Sequence, residues 1–408
     1  MEKINQRILL VVIVISVLAL GLLWIYFNPS REVLKKRAKE KVEAMELSEV
    51  KVAILYGVVI DKMRSINDIN VILKELGADL LFLGYFRWRG MATVERQTDV
   101  YGMLKRCIQQ IKEENPNLIF VGALAVQELN RVEYDPYHRR MIPEEEVWQM
   151  ALNPQKYGFN MTRIEFHKSY WRVPEDENYI FPDILNPKFQ DLILSFAKAQ
   201  IDAGVDALWL DGLFWQAEVF YRLAGRREHK AIEETLKAAE KIVLKIKEYA
   251  ESKGRKIWIG SNTQIDLPYP MPKLDFVTVS PTVTEIREKR LDEDRWTRMI
   301  SKIKDMYGEI PIFALIEWSY PAAPLAHDIQ LGVFSQHLSR EEQRELIRSL
   351  DEFFKEKGII FIYPVHGGFI GRDATKLAFS SYYKYDALAP EFQTYEQIKE
   401  LVKKYPKK

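Results

Sequence analysis

The sequence predicts an α/β fold, a (β/α)8 barrel of the TIM type carrying an N-terminal transmembrane helix. Three observations predict it. Short apolar runs alternate with longer amphipathic ones from about residue 50 onward, the pattern of repeated β/α units. There are eight such apolar runs, the number that closes a barrel. The chain of 408 residues, with 20 Phe, 20 Tyr and 9 Trp, can fill one large core. A doubly wound sheet is the other arrangement of such units, and it calls for a Gly-rich phosphate turn after an early strand. The stretch "YGVVIDKMRS" after the first run offers none.

The elements follow in order. Ile8 to Phe27, "ILLVVIVISVLALGLLWIYF", is uncharged and long enough to span a bilayer as a helix. Trp24 and Tyr26 suit the interface. The run ends in Trp-Ile-Tyr-Phe, without a small-x-small cleavage site, so residues 1–27 read as an uncleaved signal anchor. Residues 28–49 are a charged, helix-prone juxtamembrane spacer, and 50–408 form the barrel. The strand candidates are 51–60, 79–86, 117–126, 206–212, 256–262, 275–281, 310–318 and 358–365. Their near-continuous apolar character suits parallel strands covered on both faces. A helix is expected over 186–203, with Asn186 as cap, Pro187 in its first turn and Gly204 at its end. Another is expected over 339–357, where Ser339 and Glu342 make a capping-box pattern. The tail "FQTYEQIKELVKKYPKK" reads as a closing helix. The gap between the fifth and sixth strands is too short for a full helix. The long insertion 128–185, rich in Tyr, Trp, Arg and His, reads as a lid or substrate wall.

Composition excludes some classes. The 59 basic and 58 acidic residues leave a net charge of +1, so no nucleic-acid partner is expected. A 29% charged content rich in Lys and Glu suits a thermophile's surface. The single cysteine, Cys107, rules out an intrachain disulfide. There is no CxxC, and the six His show no ligand spacing, so no metal and no cofactor are expected. A Ser nucleophile lacks its G-x-S-x-G.

Chemistry in such barrels sits at the C-terminal ends of strands. Two carboxylates stand out there, Asp211 and Glu317. Each ends an apolar strand beside tryptophan: Trp209 and Trp215 for the first, Trp318 for the second. Glycoside hydrolysis needs two carboxyl groups flanking the scissile bond, and an apolar wall can split their pKa values. Flat aromatic rings suit the CH face of a sugar. The catalytic candidates are therefore Asp211 and Glu317, with Glu285 as an alternative. Candidate substrate-binding residues are Tyr85, Arg87, Trp88, Glu128, Trp215, Asn262, Trp318 and His366. Each has a structural reading too. An Asp-Gly is a common turn, Glu317 can pair with a barrel cation, Glu285 can open a solvated helix, and His366 can be a satisfied core histidine. Asp61 ends the first strand and is a weaker candidate.

The stretch "NPKFQDLILSFAKAQIDAGVDALWLDG" resembles the fourth-strand segment of barrel glycoside hydrolases: the endo-α-1,4-polygalactosaminidase-like family and the wider α-galactosidase and α-amylase-like barrels. "KYDALAPEFQTYEQIKELV" resembles the tails of archaeal proteins of this type. The resemblance implies that Asp211 is the nucleophile or an equivalent strand-four acid. It also marks a departure: Ser280 stands where the polygalactosaminidase-like family has a Glu at the end of strand six. The second carboxylate then falls to Glu285 or Glu317, or activity is lost.

The expected function is a glycoside hydrolase acting on a polysaccharide or cell-surface glycan. The alternative is a catalytically inactive barrel that binds glycans or cell-envelope partners. Lys3 and Arg7 precede the apolar run and six basic residues follow closely, which by the positive-inside rule keeps the domain in the cytoplasm. A glycan substrate and the sequon Asn160-Met161-Thr162 favour the extracellular side, which is the expectation taken here.

Overall fold

The computed structural model of the protein describes residues 45–88, 91–170, 179–263, 267–316, 325–378 and 383–405. Eight parallel strands run around a ring. They are β1 (Ala53–Tyr56), β2 (Leu80–Arg87), β3 (Ile119–Ala125), β4 (Ala207–Asp211), β5 (Trp258–Asn262), β6 (Phe276–Val279), β7 (Ile312–Ala314) and β8 (Ile360–Phe369). Each pairs with the next, and β8 pairs back onto β1 through Ala53↔Ile362 and Leu55↔Pro364. All eight expected runs are used, and the ring is closed. A ninth strand, β9 (Lys384–Asp386), lies antiparallel on the end of β8. The expected span Ile8–Phe27 lies outside the described residues, as does most of the spacer. Among the described residues no helix is long and apolar enough to cross a membrane.

Three carboxylates set the register at the N-terminal floor of the barrel. Asp79, Asp206 and Asp275 each stand directly before an even-numbered strand, β2, β4 and β6. Each accepts backbone N–H groups at the start of the preceding odd strand. Asp79 takes those of Lys51 and Val52 at 2.9 and 3.0 Å. Asp206 takes that of Phe120 at 2.8 Å, and Asp275 that of Ile259 at 2.7 Å. Lys112 and Lys247 pair with the second and third of these acids. The offset between neighbouring strands is thereby fixed in three places around the ring.

The interior is packed with aromatic rings. Trp209 of β4 meets Phe82 and Phe86 of β2 edge-on, at 5.5 and 6.1 Å between centroids. Its indole N–H donates to the Thr278 hydroxyl of β6 at 3.0 Å, so the buried polar edge is satisfied. Phe276 and Phe313 stack edge-on beside them. Gly260 makes room for this: a Cβ there would lie 2.3 Å from the Phe276 ring.

Helices cover the outside. The expected helix over 186–203 is α1 (Pro187–Ala203); Asn186 accepts from the Lys188 N–H and Gly204 closes it in the left-handed conformation. Phe189, Ile193, Phe196 and Ile201 are buried against the sheet. The helix α2 (Arg340–Glu356) starts on the Ser339–Glu342 capping box, and α3 (Tyr395–Val402) closes the chain. The insertion after β3 holds a small hairpin, Glu133–Asp135 against Arg140–Ile142, and a short helix, Glu144–Gln149.

Replacing Asp206 by Ala strands the Phe120 N–H and the Lys112 ammonium. It is expected to cost about 2 kcal/mol, read as a lower denaturant midpoint at unchanged slope. A midpoint equal to that of the native chain would show that the floor acids do not set the register.

Candidate functional site

The mouth is the C-terminal face of the ring, and Asp211 is the last residue of β4, paired in register with Ala125. It shares the inner face of the strand with Trp209, two residues below, and is partly exposed. Gln127, buried in the loop after β3, donates from its amide to Asp211 Oδ2 at 2.7 Å. This bond fixes the rotation of the carboxylate. The turn behind it is held from the next strand: the Gly212 N–H donates to Asn262 Oδ1 at 2.9 Å. The Ser261 hydroxyl donates to the Leu210 carbonyl at 2.6 Å. Gly212 has φ of 71°, and a Cβ there would lie 2.5 Å from Gln127 Oε1. Glycine is therefore required by both the backbone and the amide that grips Asp211.

On the other side of the ring, at the same end, β8, β9 and the loop after β1 carry a charged cluster. His366 is fully buried. Its Nδ1 lies 2.5 Å from Asp386 Oδ2 and its Nε2 3.1 Å from Asp61 Oδ2. Arg64 holds Asp386 with two bonds, at 2.6 and 2.9 Å. Lys384 reaches Asp61 Oδ2 at 3.0 Å, and the Met63 N–H reaches Asp61 Oδ1 at 2.9 Å. The Tyr56 ring lies 4.7 Å from the imidazole. Burial pushes the imidazole pKa down, but the bonds to Asp386 and Asp61 and their charges outweigh it, so it stands above the ordinary value. Burial pushes both acids up, but the imidazole, with Lys384 for Asp61 and Arg64 for Asp386, holds both below it.

The other expected residues fall in several places. Tyr85 and Arg87 do not reach the mouth. Both point outward into the helix layer: the register of β2 shifts between Leu81 and Tyr85, and beyond it Tyr85 and Arg87 flank the inward Phe86. Arg87 pairs with Glu95 and Glu133 and lies 3.5 Å over the Phe196 ring; the Tyr85 hydroxyl bonds Glu95. Glu285 sits in the first turn of a short helix, Val283–Glu288, where its carboxylate accepts from the Thr282 and Asp292 N–H groups, Arg295 and the Trp296 indole. Burial raises its pKa, but these donors together hold it low. It anchors the helix that follows. Asn262 braces the β4 turn, and His366 is enclosed by its acids. Glu128 is buried beside Gln127 in the same loop. Trp88 follows β2 and is 46% exposed, while Trp215 starts the helix after β4 and is half-buried. Glu317 and Trp318 lie outside the described residues. Arg64, Lys384 and Asp386 were not expected, and Gln127 stood at the third strand's end without being assigned a role. Only Gln127 carried a signal, as a polar residue just past an apolar strand end.

Fold and site together define a closed (β/α)8 barrel with a braced carboxylate at the end of its fourth strand. No family model and no curated protein sequence matches the chain. Solved structures do resemble it in backbone course. The glycoside hydrolase domain of PelA from Pseudomonas aeruginosa aligns at 13% identity over 77% of this chain and 94% of its own, with a TM-score of 0.42. The Nostoc punctiforme debranching enzyme aligns at 13% identity over 90% of this chain and 82% of its own, at 0.48. Eubacterium rectale Amy13B aligns at 10% identity over 86% and 76%, at 0.49. These are likenesses of fold alone.

The raised pKa of His366 links stability to pH. The stabilisation is fully present below the unfolded value of about 6.5 and is lost as pH rises through the folded value. The melting temperature is expected to fall over that window, and His366→Gln to flatten the fall. An equally steep fall in the variant would assign the dependence to other groups.

Proposed function

We propose that this protein is a glycoside hydrolase acting on a polysaccharide or surface glycan, with Asp211 as one of its two working carboxylates. The observation that carries this reading is the bracing of Asp211. A partly exposed acid on the inner face of a barrel mouth is held by a buried amide from the loop after β3, and its turn by an asparagine from β5. Two neighbouring strand ends thus serve to aim one carboxylate, which a turn residue does not need. Hydrolysis adds water across the glycosidic C–O bond. One carboxyl group protonates the leaving oxygen, and the other attacks the anomeric carbon or takes a proton from the water. Glu317 is the proposed partner, because the donors around Glu285 commit that carboxylate to its own helix.

The same proposal includes anchoring by Ile8–Phe27 with the barrel outside the cell. The uncharged run supports the anchor, and a glycan substrate supports the side. Under the second reading the barrel binds glycans without turnover.

The test is Asp211→Asn and Glu317→Gln on a panel of oligosaccharides and cell-wall glycans. Each change is expected to lower kcat at least about a thousand-fold with the fold intact by circular dichroism. Full activity in Asp211→Asn removes that residue from the chemistry. Glycan binding by the native chain with no turnover on any substrate supports the second reading instead.

A further inference from the structure

We propose that Asp61 and Lys384 form a hydroxyl-binding subsite for a sugar ring on the rim across the mouth from Asp211. In this arrangement His366, Asp386 and Arg64 act as positioning residues. The inference rests on the glycan reading above and gives it a recognition element.

The placement follows from topology. In a ring of eight strands, β4 and β8 stand on opposite sides of the axis. Asp211 ends β4, while His366 lies near the end of β8 and Lys384 on the strand paired with it. Asp61 lies in the loop that leaves β1, the strand next to β8. The cluster and Asp211 therefore lie at the same end of the ring, on opposite sides of it.

The exposure of the cluster is graded. Asp386 and His366 are completely buried, Asp61 is 12% exposed and Lys384 is 30% exposed. The inner ions hold the outer pair. Arg64 Nη1 and His366 Nδ1 lie 3.2 Å apart because both reach Asp386 Oδ2. That acid orients the ring, and the ring turns Nε2 onto Asp61. Burying such ions is costly, and apolar residues of similar volume commonly give equal or better stability. A buried relay that ends in one carboxylate at the rim makes sense as a device for fixing that carboxylate.

The outer pair has hydrogen-bonding capacity to spare among the described residues. A carboxylate offers about four acceptor positions, and three on Asp61 are taken, by His366, Lys384 and the Met63 N–H. An ammonium has three N–H donors, and one on Lys384 goes to Asp61. One acceptor and two donors thus remain, held one hydrogen bond apart. Two adjacent hydroxyls of a pyranose ring match this pattern: one donates to the carboxylate and the other accepts from the ammonium. The ligand class is a sugar with a vicinal diol.

The experiment uses the full chain carrying Asp211→Asn, so that binding is read without turnover. Methyl α- and β-pyranosides of galactose, glucose and mannose, and their monodeoxy analogues, are titrated by calorimetry. Lys384→Met and Asp61→Asn, each added to Asp211→Asn, are expected to weaken the tightest glycoside about 10- to 100-fold. Lys384 is a partly exposed side chain whose loss leaves the buried relay in place, so that variant tests the subsite even if Asp61→Asn unfolds. The loss should vanish for the analogue lacking one of the paired hydroxyls. The ring is faced by Tyr56, Asp61, Arg64 and Asp386, with Lys384 behind Asp61. Affinity should fall as pH rises and the imidazole loses the proton that lets it serve both acids. His366→Gln should bind more weakly and without that pH dependence.

Unchanged affinity in Lys384→Met, with turnover still lost in Asp211→Asn alone, overturns the subsite and leaves the hydrolase reading standing. An affinity of the Asp211→Asn chain that does not vary with pH overturns the positioning role of His366. No binding of any glycoside, together with no hydrolysis by the native chain, overturns both readings.

Discussion

The barrel depends on where its strands begin. Asp79, Asp206 and Asp275 each sit one residue before an even strand and each grips the backbone at the start of the odd strand before it. A parallel strand that slips by one residue turns its inner face outward. In this ring such a slip would drive Trp209 out of the axis and carry Asp211 away from the mouth. The carboxylates at the floor and the carboxylate at the mouth are thus parts of one arrangement. Asp206 sets the strand that Asp211 ends.

Between floor and mouth the interior is packed mainly with apolar side chains. Rings fill the axis up to Trp209 and Phe86, and side chains two residues further along β4 emerge into the opening. This sharp change from packed hydrocarbon to braced polar groups is what makes the upper rim suited to chemistry. A carboxylate there has apolar walls below it and fixed donors beside it. Such a setting holds its geometry without the cost of reorganising water.

The eight strands were legible because strands covered on both faces are apolar nearly throughout, and the helix ends because Asn186, Gly204 and Ser339 are capping residues that act locally. That β4 ends at Asp211 was legible for the same local reason: an apolar run stops abruptly at an acid. What failed was the question of face. Tyr85 and Arg87 stand at a strand end, yet as the neighbours of the inward Phe86 both face outward, where Glu95 and Glu133 meet them. Reading strand ends without reading parity placed them at the mouth. Glu285 looked like a rim acid, but its helix start draws donors from Thr282 to Trp296 that no short-range pattern reveals. The cluster around His366 was hidden more deeply. It is assembled by β9, an antiparallel strand outside the repeating β/α pattern, and by contacts that span most of the chain.

Those contacts bear on how the molecule is made. The bonds from Arg64 to Asp386 and from Asp61 to His366 and Lys384 join residues 305 to 323 positions apart, and β1 finds its second neighbour only when β8 arrives. A nascent chain leaving the ribosome carries β1 early, with one edge unpaired until nearly the whole sequence has been synthesised. Loop-closure entropy makes such long-range pairing slow, and an unpaired apolar edge invites pairing with a neighbouring chain. The seam between β8 and β1 is therefore the last joint to close and the point at which a newly made molecule is most exposed to aggregation.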